Sequence, residues 1–220
     1  GNEDIVVSLC KDVARQNIDD SHLSPALLDK IDLFTHAHPY IAVDATSLPA
    51  ISSALEKLIE AVTTQVDTKG SASREMQTMQ RLVALLPPNS PLAALTAGVA
   101  LLTELGAQYS NFAAVGGNGI HEKLRHDALA GSDLDSYPRW TSLMLALDGW
   151  SAARRALPVS LEATELVIVS ACDLENKATE CIEAARESIV GNAQLVLKTT
   201  MEKLALVARG MEDGSSWHAS

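Results

Sequence analysis

The chain has 220 residues, 47 % of them hydrophobic and only 4 % aromatic, with the apolar set skewed towards Ala and Leu. That mixture suits helices packed closely through small side chains and argues against a β-sandwich or barrel, which would draw on Val, Thr, Tyr and Phe. Seventeen basic against 28 acidic residues leave a formal charge of −11, which repels nucleic acid and anionic lipid, and the best basic cluster is the pair Arg154-Arg155.

Helical spacing of Val6, Leu9, Cys10 and Val13 predicts a first helix over residues 3–16. Ser24-Pro25 reads as a cap followed by proline at the first helical position, opening a short helix to residue 33. "FTHAHPYIAVDATSLP" then shows no helical stripe and reads as a connector. Beyond the cap residue Ser47, the positions Leu48, Ile51, Leu55, Leu58, Val62 and Val66 step by three or four, predicting an amphipathic helix to about residue 68.

A fourth helix is expected over 73–86, burying Met76, Met79, Leu82, Val83 and Leu86, and "PPNSP" stops it. Ser90-Pro91 repeats the cap-plus-proline device and opens a fifth through Leu95, Val99, Leu102, Leu105 and Phe112, which "GGNG" ends. Residues 120–137 hold at most a short helix over 121–129. Pro138 starts another, with Trp140, Leu143, Leu147 and Trp150 on one face, ending at Pro158.

From Leu161 to Ala208 the chain has no proline and one glycine, Gly191, a run that as a single helix would reach roughly 70 Å. Leu161, Ile168, Ile182, Ile189 and Val196 fall on a seven-residue step, beside a row of Ala171, Ala178 and Ala185. Large and small residues alternating along a seam let two helices approach closely, as in a coiled coil or helical hairpin. The missing member of the large row is Glu175, followed by Asn176: a polar layer fixing register, a seat for a partner's basic group, or a wet position. At Gly191 a continuous or kinked helix is expected, with a turn between two antiparallel helices as the alternative.

Motifs that name a chemistry are absent. "HEKLRHD" gathers His121, Glu122, His126 and Asp127, but its histidines are five apart, about 140° on a helix, so the zinc motif HExxH fails. Only Glu122 and His126 would be neighbours there. His36 and His38 would share a side of an extended segment, with Asp44 as the nearest carboxylate, yet no third ligand is defined. "GGNG" lacks the dinucleotide fingerprint and reads as a helix cap and turn.

Cys10, Cys172 and Cys181 have no framework spacing and fit a reducing compartment, with each thiol expected to be a small, wholly or partly buried hydrophobe. No uninterrupted apolar run of about 18 residues and no basic-then-apolar leader occurs, so neither a membrane span nor a signal peptide is expected.

The expected fold is therefore all-α: an elongated up-and-down bundle of six or seven helices over residues 1–209, with a very long C-terminal helix or helical hairpin. A polar tail over 210–220 carries Trp217, which tucks back onto the bundle, docks a partner or stays disordered. The expected function is a non-enzymatic interaction or scaffolding module, cytoplasmic, without cofactor or metal, whose partner is another protein or itself. Against it stand two alternatives. A membrane-associating module of toxin-like or remodelling type is opposed by the charge. An enzyme or small-ligand carrier would need a pocket near His121 to Asp127, or one lined by Met76, Met79 and Met144.

Overall fold

A computed structural model describes residues 1–16, 23–38, 43–66, 73–114 and 136–215. Among them the chain is helical, with no strand. The cluster His121 to Asp127 and Trp217 lie outside these residues.

Helix α1 (Asn2–Arg15) buries Val6, Leu9, Cys10 and Val13, the stripe its spacing predicts. Glu3 and Asp4 in its first turn and Arg15 in its last complement the helix dipole. Helix α2 (Pro25–Ala37) has proline at its start as expected. The Ser24 hydroxyl makes no cap; instead its carbonyl accepts from Leu27 and Leu28 at 3.0 and 3.2 Å. This helix also runs four residues past the expected end. Thr35 is the reason: buried beside Leu28 and Ile31, it donates its hydroxyl to the Ile31 carbonyl at 2.9 Å, so a polar residue completes the inner stripe.

Helix α3 (Leu48–Thr63) buries Ile51, Ala54, Leu55, Leu58, Ile59, Ala61 and Val62, which together span an arc of about 160°, nearly half its circumference. An apolar face that broad needs more than one neighbour. It packs against α1 and against α4 (Ser73–Val83), and further along against α5 (Pro91–Ala114) and the last helix. Both α3 and α4 stop short of their expected ends, in turns over 64–66 and 84–86. In the second turn Leu85 and Leu86 bond back three residues, at 3.0 Å each, which tightens the helix out of α geometry.

Helices α1, α2, α4 and α3 form a closed ring of contacts, α1 on α2, α2 on α4, α4 on α3 and α3 on α1. A polar clasp ties α2 to α4: Asp32 accepts from Thr78 at 2.8 Å and pairs with Arg81 at 3.0 Å, and Arg74 pairs with Asp29. A second ring shares α3 and adds α5, α6 (Ser136–Arg155) and α7 (Glu162–Ser215), with α5 and α6 making the most extensive contact among the described helices.

Two glycines permit the close approaches that ring needs. A methyl on Gly106 would overlap the Val66 carbonyl at the end of α3, and one on Gly98 would overlap the Leu157 side chain. By length and composition the segment Pro91–Ala113 of α5 would reach across a bilayer. Leu92, Leu95, Val99, Leu102, Leu105 and Phe112 are instead buried among the other helices, as in the central helix of a packed core.

Helix α7 has 54 residues, about 80 Å at the usual rise. Its backbone passes Gly191 without a break, and nothing lies near that glycine. It continues to Ser215, so the first residues of the expected polar tail are helical.

Candidate interaction surface

Over its first half α7 is held by the body. Thr164, Val167, Ala171, Leu174, Ala178 and Ala185 are buried, in steps of three, four or seven, facing α3, α5 and α6. The centre of this seam is the small-residue row. Leu161, Ile168 and Ile182 flank it, half-buried, rather than filling it as expected. Small side chains at the centre let the backbones come close while the larger ones cover the sides.

Glu175, the break in the large row, is occupied from within the fold. It accepts a hydrogen bond from the Trp150 indole and pairs through its other oxygen with Arg154 at 2.5 Å, its side chain only 17 % exposed. A single turn of α6, from Trp150 to Arg154, thus supplies both partners. Trp140, ten residues earlier on the same face, donates to the Ile182 carbonyl at 3.3 Å. The two tryptophans grip α7 at levels seven residues apart. Asn176 points to solvent.

Beyond the body the same helix changes character. From Val190 to Arg209 every described side chain is exposed, among them Val190, Val196, Leu197, Met201, Leu204 and Val207 at 41–65 %. At 100° per residue, Val190, Ala193, Leu197, Met201, Leu204 and Ala208 gather within an arc of about 80°, and Val196 and Val207 widen it on one side. The row is about 27 Å long. The charged residues of this stretch, Lys198, Glu202, Lys203 and Arg209, lie outside the arc. Leu195 and Leu206 are exposed apolar residues on the opposite side.

The expected seven-residue row ends at Val196, because the next step is Lys203. A new row, Val190, Leu197 and Leu204, starts about 100° round the helix. That change of phase is the sequence signal for the exposed half, and spacing within the first row alone does not reveal it.

Elsewhere the described residues form structural clusters. Asp44 accepts from the amides and hydroxyls of Thr46 and Ser47, at 2.7–3.0 Å, and those bonds, the hydroxyls first, hold its carboxyl below the usual aspartate value. Glu3 accepts from the Asp44 amide at 3.1 Å, pinning α1 to the start of α3. His36 lies within α2 and is exposed, while the ring of His38 faces Asn2 at 3.1 Å, so the extended pair expected of "THAHP" does not form. Among the described residues no three His, Cys, Asp or Glu side chains are grouped to hold a metal.

Met76 and Met79 are buried in the core. A surface groove of about 520 Å³ between α1, α3 and the start of α7 is lined by Glu56, Lys57, Glu60 and Glu162. Cys10 is buried, and desolvation pushes its thiol up to about 12. Burial, then the neighbouring Glu180, raises Cys181. Cys172 is exposed, contrary to expectation, its thiol donating to the Ile168 carbonyl at 3.3 Å.

Compared with known protein families, curated proteins and solved structures, the chain matches none.

Proposed function

We propose that the chain is a protein-interaction module. It is an elongated helical bundle that grips one long helix by its first half and presents the second half to a protein partner. The observation that carries this reading is the apolar row Val190, Leu197, Met201 and Leu204, 48–65 % exposed on a helix whose first half is firmly packed. Contiguous apolar surface of this extent marks an interaction site in a soluble chain. A preformed amphipathic helix is a common form for one, because little ordering entropy is lost on docking.

Glu175 serves this function at a distance. By locking α7 to Trp150 and Arg154 it fixes the register at which the helix leaves the body, and hence which residues project. Three free cysteines, one of them exposed, fit a reducing compartment such as the cytoplasm.

The test replaces Leu197, Met201 and Leu204 together by serine and compares the variant with the parent chain by cross-linking and mass spectrometry in extract. The associations of the parent are expected to disappear, while the near-ultraviolet spectrum of the tryptophans and the unfolding transition of the body stay unchanged. If the serine variant keeps every association of the parent, this reading is wrong.

A further inference from the structure

We infer that the partner of this face is the same face of a second copy, the two projecting helices running antiparallel about an axis at residue 199. This rests on the reading of the distal half of α7 as the interaction surface. It adds the identity and direction of the occupant.

Three observations lead to it. The first is area. Val190, Val196, Leu197, Met201, Leu204 and Val207 are each 41–65 % exposed and the alanines between them are exposed too. Together they offer about 600 Å² per copy, so two copies bury ~1,200–1,300 Å², at the lower bound of stable, specific interfaces. A larger partner is not needed to cover the face.

The second is self-complementarity. A two-fold interface requires that if one residue meets another, the reverse contact is the same contact. With the axis at residue 199, Leu197 faces Met201 of the second copy, Val190 faces Ala208, and Leu204 faces Gln194 and Ala193. Large residues meet large at the centre and small at the ends, and no charge falls inside the row.

The third is charge, and it is independent of the apolar register. Glu187, Lys198, Glu202 and Arg209 are all exposed and share one edge of the row, within about 60° of one another. In the antiparallel register Glu187 comes within two residues, about 3 Å along the axis, of Arg209 of the second copy, and Lys198 equally close to its Glu202. Both pairs recur by symmetry. A parallel pair would set this edge against the opposite edge of the second copy, so neither charge pair could form. The antiparallel arrangement also keeps the two acidic bodies at opposite ends of the paired helices. If each body starts at residue 187, they stand about 36 Å apart, several screening lengths.

Light scattering on the purified chain across 1–100 µM tests the pairing. The expected mass is twice 23.4 kDa, falling to the single value in the serine variant. Direction is read by disulfide trapping in a background carrying C172S and C181S. A mixture of L197C chains with M201C chains is expected to cross-link, and L197C alone is not.

Charge reversal gives a third readout. R209E weakens the dimer roughly tenfold, and the double reversal E187R/R209E restores it, a rescue that neither a parallel pair nor an unrelated partner would produce.

A monomer over the whole range overturns self-pairing; the extract experiment then decides separately whether the face serves another protein. A dimer indifferent to the serine substitutions overturns both the pairing and the reading it rests on. A monomer that binds vesicles containing phosphatidylserine through the unsubstituted row overturns it in favour of a lipid surface. Cross-linking of L197C with itself overturns the antiparallel direction.

Discussion

The two halves of α7 belong to one unbroken helix, yet they answer opposite demands. The first half presents Ala171, Ala178 and Ala185 to neighbours that approach closely, and those alanines are wholly buried. The second half carries Leu197, Met201 and Leu204, larger residues 60–65 % exposed. The body therefore grips the helix where its face is small and releases it where its face is large. Helical periodicity alone does not distinguish the halves; the size of the residues in the stripe, and its change of phase near Val190, does.

Truncation at matched positions should break the comparison if it is wrong. Leu174→Ala removes a side chain that is 1 % exposed and should cost about 2–5 kcal/mol in denaturant unfolding. Leu197→Ala, the same chemistry at an exposed site, should change the unfolding of the monomer by no more than about 0.5 kcal/mol. Equal losses would mean that the distal half is packed after all. Enlargement asks the same question in reverse. Ala178→Leu should cost about 1–3 kcal/mol because the seam is filled, whereas Ala193→Leu should be close to neutral in the monomer.

Glu175→Gln sharpens the comparison at the grip. Loss of its charge leaves Arg154 without its carboxylate, and because Arg154 is 38 % exposed, solvent screening limits the expected loss to ~1 kcal/mol. A double-mutant cycle with Arg154→Met measures the coupling, and a value indistinguishable from zero would remove Glu175 from its anchoring role. Gly191→Ala should have a smaller and local effect. Alanine favours the helix by up to about 1 kcal/mol, and the space around that position is open. Slower hydrogen exchange confined to the distal amides, with global unfolding unchanged, is the expected result.

The cysteines give a readout that needs no disruptive substitution. Cys172 should react with a thiol reagent promptly at pH 8, and Cys10 only as fast as the body opens. Burial raises the Cys10 pKa from 9.0 to about 12, so the neutral thiol is the form that the fold favours. Its contribution to stability is complete below pH 9 and is lost as the pH climbs from there towards 12. Prompt labelling of Cys10 at pH 8 would place it outside the core.

Much of the helix inventory was legible because its signals are local. The stripes of α1 and α3, the prolines opening α2 and α5, and the shared face of Trp140 and Trp150 follow from spacing and backbone chemistry. The misses have physical causes. Thr35 extended α2 because a threonine can satisfy its own hydroxyl within the helix and count as apolar towards the core. The Ser24 and Ser47 hydroxyls do not cap their helices; Ser47 turns instead to Glu3 and Asp44. Glu175 was visible as an interruption, but its partners come from another helix 21–25 residues away in sequence, which no local pattern specifies. The exposure of Leu197 and Leu204 depends on where the body ends, a property of the whole fold.

The position of α3 as a wall common to both helix rings bears on how the chain melts. Neither ring can open without uncovering one side of α3, where Ile51, Leu55, Leu58 and Ile59 are wholly inaccessible to water. The cost of exposing them falls on both rings together, so the body should lose its structure in one cooperative step. The distal part of α7, with no such neighbour, should fray at far lower cost, as a separate and earlier event.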